Sequence, residues 1–268
     1  MTLQAELKSY SKINFGLWVK EKRPNNFHEI ETIYFENENL YDNIEINFVE
    51  SKDHEIKVHF LQKEFNDLIP EKENIVYKAC ELFFNQLNIF GKCKVIINKR
   101  IPLKAGLGGG SSNAASVLKG LNQIFKNKLN QNILLKLSNE LGSDVPFFII
   151  GKTCLGKGKG ETLTPLVNKL KLDVKIIKPK DISISTRWAY EKIDSRKTIL
   201  DHREQIQNLI HSMEKSDYDL FCNNLFNDFE EIIFSSYPQL IEEKGQLLKE
   251  GHRAVHLCGS GSALFGIK

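Results

Sequence analysis

Residues 102–115 of this 268-residue chain have the sequence PLKAGLGGGSSNAA, and the glycines at their centre set the local structure. Glycine has no Cβ atom, so residues 106–110, four of which are glycine, can adopt positive φ values and let the backbone approach a ligand closely. Ser111 and Ser112 follow at the expected N-cap of a helix, whose apolar face consists of Ala114, Val117, Leu118, Leu121 and Ile124. A helix that starts directly after such a loop offers unpaired N–H groups and its positive dipole end to an anion. The stretch therefore predicts a phosphate-binding loop.

The two commonest glycine-rich phosphate loops do not fit this chain. A Walker A loop needs a glycine five residues before its Gly-Lys-Thr, and the candidate Gly151-Lys152-Thr153 has Pro146 at that position. A Rossmann loop needs a third glycine where this chain has Ser111, and it follows the first strand of its domain. A flexible turn before a helix remains the alternative for the loop taken alone, so other motifs have to decide.

The composition is that of a globular protein from a reducing compartment. Apolar residues make up 41% of the chain and the formal net charge is +3, which is too small to indicate a nucleic-acid or membrane surface. No apolar run approaches the roughly 20 residues of a membrane span, and the polar N-terminus has no signal-peptide core, so a cytoplasmic location is expected. The five cysteines form no Cys-x-x-Cys pair, so neither a disulfide framework nor a zinc site is expected.

The remaining periodicity predicts an α+β protein. Alternating apolar residues from Ile13 to Val19 predict a half-buried strand. Further strands are expected at 29–35, 43–48, 55–60, 93–98, 172–177, 254–257 and 262–267. Helices are expected from Asn74, after the glycine loop, from about 132 to 141, and near 203–214, 218–233 and 238–250. Strands and helices mix without regular βαβ alternation, and the glycine-rich loop 156–160 predicts a boundary between domains of residues 1–155 and 156–268.

Four shorter motifs carry side chains suited to chemistry, and each has a plain structural alternative. Lys12 lies in an otherwise apolar strand, where a lysine usually faces outward. Asp144 is a lone acid among apolar neighbours, where an aspartate often caps a helix. Residues 25–29 place the Phe27 ring beside His28 in what could be an ordinary turn, and Gly-Ser-Gly-Ser at 259–262 could be a tight hairpin.

Together and in this order, these motifs resemble the GHMP kinase superfamily over the whole chain. The matching segments are Lys12-Ile13-Asn14, Arg23-Pro24 with Phe27-His28-Glu29, the loop from Gly106 to Ala114, Asp-Val-Pro at 144–146, and Gly-Ser-Gly-Ser at 259–262. The resemblance implies a two-domain α+β fold with the active site between the domains. The N-terminal domain would be ribosomal S5 domain 2-like and the C-terminal domain ferredoxin-like.

The resemblance implies a kinase that uses ATP and Mg²⁺ to phosphorylate an alcohol, with no protein metal ligand assigned. The aromatic-His-Glu turn narrows the match to members that act on a cytidine diphosphate-linked isoprenoid precursor of the non-mevalonate route. It implies that Asp144 accepts the hydroxyl proton and that Lys12 holds this aspartate and the hydroxyl in place. The residues implied to bind ATP are Pro102, Ala105, Gly106, Leu107, Gly108, Gly109, Gly110, Ser111 and Ser112. Those implied to bind the substrate are Asn14, Phe27, His28, Tyr34, Lys159, Thr186 and Tyr190.

Two other functions stay open at the level of sequence. One is a related kinase for mevalonate-type, homoserine or sugar substrates, because the phosphate loop alone cannot separate these. The other is an RNA-binding protein, because the first domain's fold resembles one found in ribosomal proteins. The expected partner is a small molecule and neither nucleic acid nor a membrane, and the chain is expected to be a monomer or a weak homodimer.

One departure from the family pattern lies in the aromatic-His-Glu turn. The family commonly has Gly-Tyr-His-Glu where this chain has Asn26-Phe27-His28-Glu29. If the family's glycine is required for a positive φ angle at this position, asparagine is its best replacement. Phe27 keeps the apolar ring and loses the hydroxyl.

Overall fold

A computed structural model describes residues 2–24, 26–194 and 201–268. The strands are β1 (Thr2–Lys22), β2 (His28–Glu50), β3 (Glu55–Phe60), β4 (Gly91–Asn98), β5 (Thr153–Lys157), β6 (Thr162–Pro165), β7 (Val174–Ile177), β8 (Phe226–Asn227), β9 (Ala254–Leu257) and β10 (Leu264–Ile267). The helices are α1 (Ile75–Leu87), α2 (Gly109–Ile124), α3 (Gln131–Leu141), α4 (Val145–Ile150), α5 (Thr186–Ile193), α6 (Arg203–Lys215), α7 (Tyr218–Asn224), α8 (Glu230–Ser236) and α9 (Gln239–Lys249). This content confirms the α+β prediction. None of the described helices is long and apolar enough to cross a membrane.

The chain divides into two compact units, and each is assembled from separate segments. The first unit comprises Met1–Ser11, Glu38–Ile101 and Gly108–Gly151, and the second comprises Lys12–Asn37, Pro102–Leu107 and Lys152–Lys268. The boundary predicted between residues 155 and 156 falls inside the second unit. There the glycine-rich segment turns the chain from β5 into β6, which pair antiparallel through Gly156↔Leu163 and Lys157↔Thr162.

The first unit packs four helices, α1 to α4, with a sheet. In this sheet β4 pairs antiparallel with β2, from Asn43↔Asn98 to Glu50↔Gly91, and parallel with β3. The Phe48 ring lies 5.4 Å from the Phe84 ring and 5.0 Å from the Phe125 ring, measured between centroids. This aromatic cluster joins the sheet to α1 and to the end of α2.

The helix that the sequence predicts from Asn74 is α1, and Asn74 caps it, since its Oδ1 accepts a hydrogen bond from the Val76 amide at 2.9 Å. We expect Asn74→Ala to lower the free energy of unfolding by about 1 kcal/mol, because a helix donor loses its partner. Urea denaturation measures this, with the exposed Asn85→Ala in the same helix as the control. An equal loss in both variants would contradict the capping role.

The second unit contains two sets of paired strands. β1 pairs parallel with β8 at Gly16↔Phe226 and Leu17↔Asn227, and β2 pairs with β5 from Thr32↔Gly156 to Phe35↔Thr153. A separate antiparallel sheet has the order β7-β10-β9. The hydrophobic core beside these strands includes Leu17, Val19, Ile184, Ala189, Phe229, Leu257 and Leu264.

Three predictions about strands and helices differ from the structure. The strand around Ile13 is buried on both faces, since Phe15 contacts the rings of Phe35, Phe221 and Phe265 and residues 11–19 are all buried. The helix expected at 218–233 is split into α7 and α8 by β8, whose pairing with β1 overrides local helix propensity. The segments expected as separate strands at 29–35 and 43–48 form one long strand, β2.

Candidate active site

The glycine loop begins in the second unit, where Gly106 packs against the backbone near Cys258. The φ angle of Gly106 is +76°, and a Cβ atom added there would lie 1.8 Å from the Cys258 carbonyl oxygen. The Ala263 amide donates to the Ala105 carbonyl at 3.3 Å, and the Lys12 amide donates to the Leu107 carbonyl at 3.0 Å. Both the backbone angle and the close contact therefore require glycine, and two other chain segments fix the path of the loop.

We expect Gly106→Ala to lower the free energy of unfolding by about 2 kcal/mol or more, because it adds a steric overlap to an unfavourable backbone angle. Gly245→Ala is the matched control, since Gly245 lies inside α9 and its Cβ would have no neighbour within 4 Å. That variant should gain about 0.5–1 kcal/mol from helix propensity. Chemical denaturation of both variants makes the comparison, and a tolerated Gly106→Ala would refute the tight packing.

The loop continues in the first unit as the start of α2. The helix begins at Gly109, and Gly108 is the N-cap residue with φ of +68°. The prediction that the two serines form the N-cap is therefore wrong: Ser111 and Ser112 lie in the first turn, because the glycine at 108 can already turn the chain into the helix. The Ser112 amide donates to the Gly108 carbonyl at 2.8 Å. The amides of the residues before it stand at the anion-attracting end of the helix.

A buried hydroxyl network holds Ser112 within the first unit. Ser9 Oγ donates to Asn113 Oδ1 at 2.7 Å and lies 2.7 Å from Ser112 Oγ. A hydroxyl carries one hydrogen, so the hydrogen between the two serines belongs to Ser112. In this arrangement Ser112 Oγ can accept a further hydrogen bond but cannot donate one. Ser111 is half-buried and lies outside this network.

A buried ion pair lies beside the start of α2, and sequence reasoning missed it. Lys99 Nζ lies 2.5 Å from Asp42 Oδ2, and Asp42 Oδ1 accepts from the Arg100 and Ile101 amides at 2.7 and 2.8 Å. Burial lowers the pKa of Lys99, and the charge of Asp42 opposes this. A Cβ atom at Gly109 would lie 2.8 Å from Lys99 Nζ. Asp42 therefore anchors the chain before the loop and Lys99 places a buried amine next to the helix start.

Lys12 lies at one end of a buried polar row in the second unit. Its side chain is 5% exposed, so the outward-facing alternative is wrong. Lys12 Nζ donates to Asn14 Oδ1 at 2.8 Å, and Asn14 Nδ2 donates to Thr32 Oγ1 at 2.7 Å. The Lys12 amine also lies 5.5 Å from the centroid of the Tyr34 ring. The structure thus brings together the predicted Lys12, Asn14 and Tyr34, and adds Thr32, which carries no signal in a strand sequence.

His28 and Tyr190 form a stacked pair in the same unit. Their ring centroids are 5.0 Å apart at an interplanar angle of 24°, and the Tyr190 ring meets the Phe229 ring edge-on at 4.9 Å. Tyr190 comes from α5, a helix that periodicity did not predict. His28 Nε2 lies 2.5 Å from Asp194 Oδ1, and Asp194 was not predicted, although it follows Tyr190 by four residues, about one helical turn.

Phe27 and Lys159 form the second predicted pair that the structure brings together. Phe27 is 57% exposed, and Lys159 Nζ lies 4.9 Å from its ring centroid. Asn26 has φ of +65°, which agrees with the positive angle expected where the family has glycine. Asn25, the first residue of this predicted turn, lies outside the described residues. The result is an exposed aromatic face with a cation beside it.

Thr186 reaches the Gly-Ser-Gly-Ser segment. Its Oγ1 lies 3.0 Å from Ser260 Oγ, and a Cβ atom at Gly259 would lie 3.4 Å from Lys12 Nζ. Asn227 Nδ2 donates to the carbonyls of Leu257 and Gly259 at 2.9 and 2.8 Å. This segment is therefore held beside the buried lysine by a side chain that sequence reasoning missed.

Asp144 belongs to the first unit and directly precedes α4. The helix has Pro146 in its first turn, where a missing N–H is harmless, and its described amides receive no capping bond from the Asp144 side chain. Asp144 thus occupies the N-cap position of α4, as the structural alternative expects, but its side chain does not cap the helix. Asp144 is half-buried.

Comparison with known proteins gives matches along nearly the whole chain. Residues 74–152 match the GHMP kinases N terminal domain. The chain is 35% identical over 264 residues to 4-diphosphocytidyl-2-C-methyl-D-erythritol kinase of Thermodesulfovibrio yellowstonii, which covers 97% of this chain and 88% of that protein. It is 37% identical over 265 residues to the protein of the same name from Alkaliphilus metalliredigens, which covers 98% of this chain and 88% of that protein.

Solved structures agree with these sequence matches. A crystal structure of a 4-(cytidine 5'-diphospho)-2C-methyl-D-erythritol kinase superposes with a TM-score of 0.79 at 29% identity, covering 98% of this chain and 90% of that chain. A homoserine kinase from Cytophaga hutchinsonii superposes with a TM-score of 0.78 at 18% identity, covering 100% of this chain and 85% of that chain, and shares the fold. These matches confirm the predicted superfamily and the two-domain GHMP kinase fold. The chain belongs to the 4-diphosphocytidyl-2-C-methyl-D-erythritol kinase family of the GHMP kinases.

Proposed function

We propose that this ATP-dependent kinase transfers the terminal phosphoryl group of ATP to the 2-hydroxyl of 4-diphosphocytidyl-2-C-methyl-D-erythritol, a step of isoprenoid precursor synthesis. The observation that carries the proposal is the presence, in one unit, of the buried Lys12–Asn14–Thr32 row and the His28–Tyr190 stack. The buried polar row can hydrogen-bond a reacting hydroxyl, and the stacked rings can contact a nucleobase. Incubation with ATP, Mg²⁺ and this substrate should yield ADP and a phosphorylated product.

A substrate panel separates this proposal from the related kinases, which share the phosphate loop. Mevalonate, homoserine and a sugar should give no ADP above background under the same conditions. Turnover of one of these alcohols, with none of the cytidine-linked substrate, would contradict the proposal. His28, Phe27 and Tyr190 favour the cytidine substrate because aromatic faces and a hydrogen-bonding edge suit a planar base.

The glycine loop is proposed to bind the ATP phosphates. The positive φ at Gly106 and Gly108 turns the backbone so that successive amides can face an anion, and the start of α2 adds its dipole. The residues proposed for this role are Pro102, Ala105, Gly106, Leu107, Gly108, Gly109, Gly110, Ser111 and Ser112.

Mg²⁺ is proposed to bind mainly through the phosphates of ATP. No group of three or more His, Cys, Asp or Glu residues able to hold a metal ion occurs in the described part of the chain. Mg²⁺ usually keeps water and phosphate ligands and takes few from the protein, so it does not need such a group. The hydroxyl oxygens of Ser111 and Ser112 are the nearest candidates for a protein contact with the ion, and when bound the ion would offset charge on the phosphates.

Asp144 and Lys12 are proposed to prepare the acceptor hydroxyl. Phosphoryl transfer depends on positioning and charge stabilisation more than on covalent catalysis. Asp144 would accept the hydroxyl proton, and the buried amine of Lys12 would stabilise the negative charge that develops on the acceptor oxygen. Asn14, Tyr34 and Thr186 are proposed to hold the alcohol, since Asn14 and Tyr34 already contact Lys12.

The cytidine end is proposed to lie against Phe27, His28, Tyr190 and Lys159. We expect Phe27→Ala and His28→Ala to raise the KM for the cytidine substrate about ten-fold or more, with the KM for ATP nearly unchanged, because each removes a base contact of roughly 1–3 kcal/mol. Steady-state kinetics with each substrate varied in turn measures this. Phe90→Ala is the control, since Phe90 is as exposed as Phe27 and belongs to the first unit. Equal changes in the two KM values would count against the pocket.

A further inference from the structure

Asp194 joins the side chains of His28 and Lys22 at the edge of the proposed nucleobase site. Its Oδ1 lies 2.5 Å from His28 Nε2, and its Oδ2 accepts from Lys22 Nζ at 2.5 Å. Asp194 is the C-cap residue of α5, the helix that also supplies Tyr190. One helix end thus contacts both the face and an edge of the His28 ring.

The carboxylate of Asp194 is held in its ionised form. The hydrogen bond from Lys22 lowers the pKa of Asp194, burial opposes this, and the bond with His28 lowers the pKa further. An ionised carboxylate can only accept hydrogen bonds. The hydrogen between the two groups therefore resides on Nε2 of His28.

The position of this hydrogen determines what the other ring nitrogen can do. A neutral imidazole carries one hydrogen, so a ring protonated at Nε2 has a lone pair on Nδ1. The ring is also restrained against rotation, because its face stacks on Tyr190 at 5.0 Å while its edge is bonded to Asp194. Nδ1 of His28 is therefore a hydrogen-bond acceptor in a fixed position and does not act as a donor.

Cytosine and uracil differ at the group that such an acceptor would recognise. Cytosine has an exocyclic amino group, a donor, at the position where uracil has a carbonyl, an acceptor. A lone pair bonds the first and repels the second, so that discrimination comes from an unfavourable contact as well as a favourable one.

We propose that Asp194 is a positioning residue that fixes the hydrogen of His28 on Nε2 and thereby makes His28 select cytosine over uracil. This inference rests on the proposed function, because it assigns the selectivity of the same substrate site. Asp194 acts through His28 and contacts neither the reacting hydroxyl nor ATP.

The test compares kcat/KM for the cytidine-linked substrate and for its uridine-linked analogue in four proteins. In Asp194→Asn the amide can turn either its oxygen or its NH₂ group toward His28, so the hydrogen is no longer fixed. We expect the cytidine preference to fall about ten-fold or more, with the KM for ATP unchanged. Asp194→Glu should restore most of the preference. Asp201→Asn, which removes an exposed carboxylate paired with Arg203, should match the parent protein.

Calorimetric binding of cytidine 5'-diphosphate and uridine 5'-diphosphate gives a readout that does not depend on turnover. Loss of the binding preference in Asp194→Asn supports the inference even if the alcohol acceptor proves to be a different one. A parent protein that binds cytidine 5'-diphosphate selectively but does not phosphorylate the linked alcohol would contradict the proposed function alone. An Asp194→Asn variant that keeps the full cytidine preference would overturn the inference, since other groups would then recognise the base.

Discussion

Replacement of Asp144 by asparagine is expected to lower kcat by about 10²–10⁴-fold, because an amide cannot accept the proton of the acceptor hydroxyl. The KM for ATP should stay near that of the parent protein, since the substitution preserves shape and leaves the glycine loop intact. Fixed-time assays of ADP formation, with both substrates at saturating concentration, measure the turnover.

The control for this variant is Asp53→Asn, which neutralises another aspartate of the first unit. The side chain of Asp53 is 81% exposed and lies 3.7 Å from Lys92, so its loss should leave turnover unchanged. Turnover of Asp144→Asn within a few-fold of the parent would remove Asp144 from the proposed chemistry.

Replacement of Lys12 by methionine is expected to lower kcat by about 10²–10³-fold, the usual effect of removing one group that stabilises transition-state charge. Methionine keeps the length and apolar stem of the lysine. It leaves Asn14 Oδ1 without the amine that now lies 2.8 Å away. Rapid-mix measurement of product formation on saturated enzyme isolates the phosphoryl-transfer step.

Lys20→Met is the matched control, because it lies in the same strand and its amine pairs with Glu31 while staying 36% exposed. Both variants should unfold within a few degrees of the parent protein. If the two lysine variants lost turnover to the same extent, the loss would reflect damage to β1 rather than the charge of Lys12.

The sequence predicted those parts of the site that depend on local chain chemistry. The loop at residues 106–110 and the positive φ of Asn26 follow from the conformations open to glycine and asparagine. The helix that starts at Asn74 follows from the preference of asparagine for helix starts. The grouping of Lys12 with Asn14 follows from their alternation on one strand face. Their partner Thr32 lies on the next strand, and no local signal identifies it.

The parts that the sequence did not predict depend on contacts between distant residues. Asp42 and Lys99 are 57 residues apart, and His28 and Asp194 are 166 apart. Each aspartate stands in a stretch where a solvated charge is the ordinary expectation. The N-cap was misplaced for a local reason, because Gly108 adopts the left-handed conformation and caps α2, so both serines lie in the first turn of the helix.

The interleaving of segments in the two units has a consequence for the order in which the protein acquires structure during synthesis. Residues 12–37 pair with each other through β1 and β2, but they leave the ribosome before their other strand partners, Thr153–Gly156 and Phe226–Asn227. Since domains that need distant pairings fold late and expose apolar strands meanwhile, Ile13, Phe15 and Trp18 must wait for most of the remaining chain to emerge. A nascent chain halted before residue 226 should therefore bind chaperones through this N-terminal strand, whereas the released full-length chain should not.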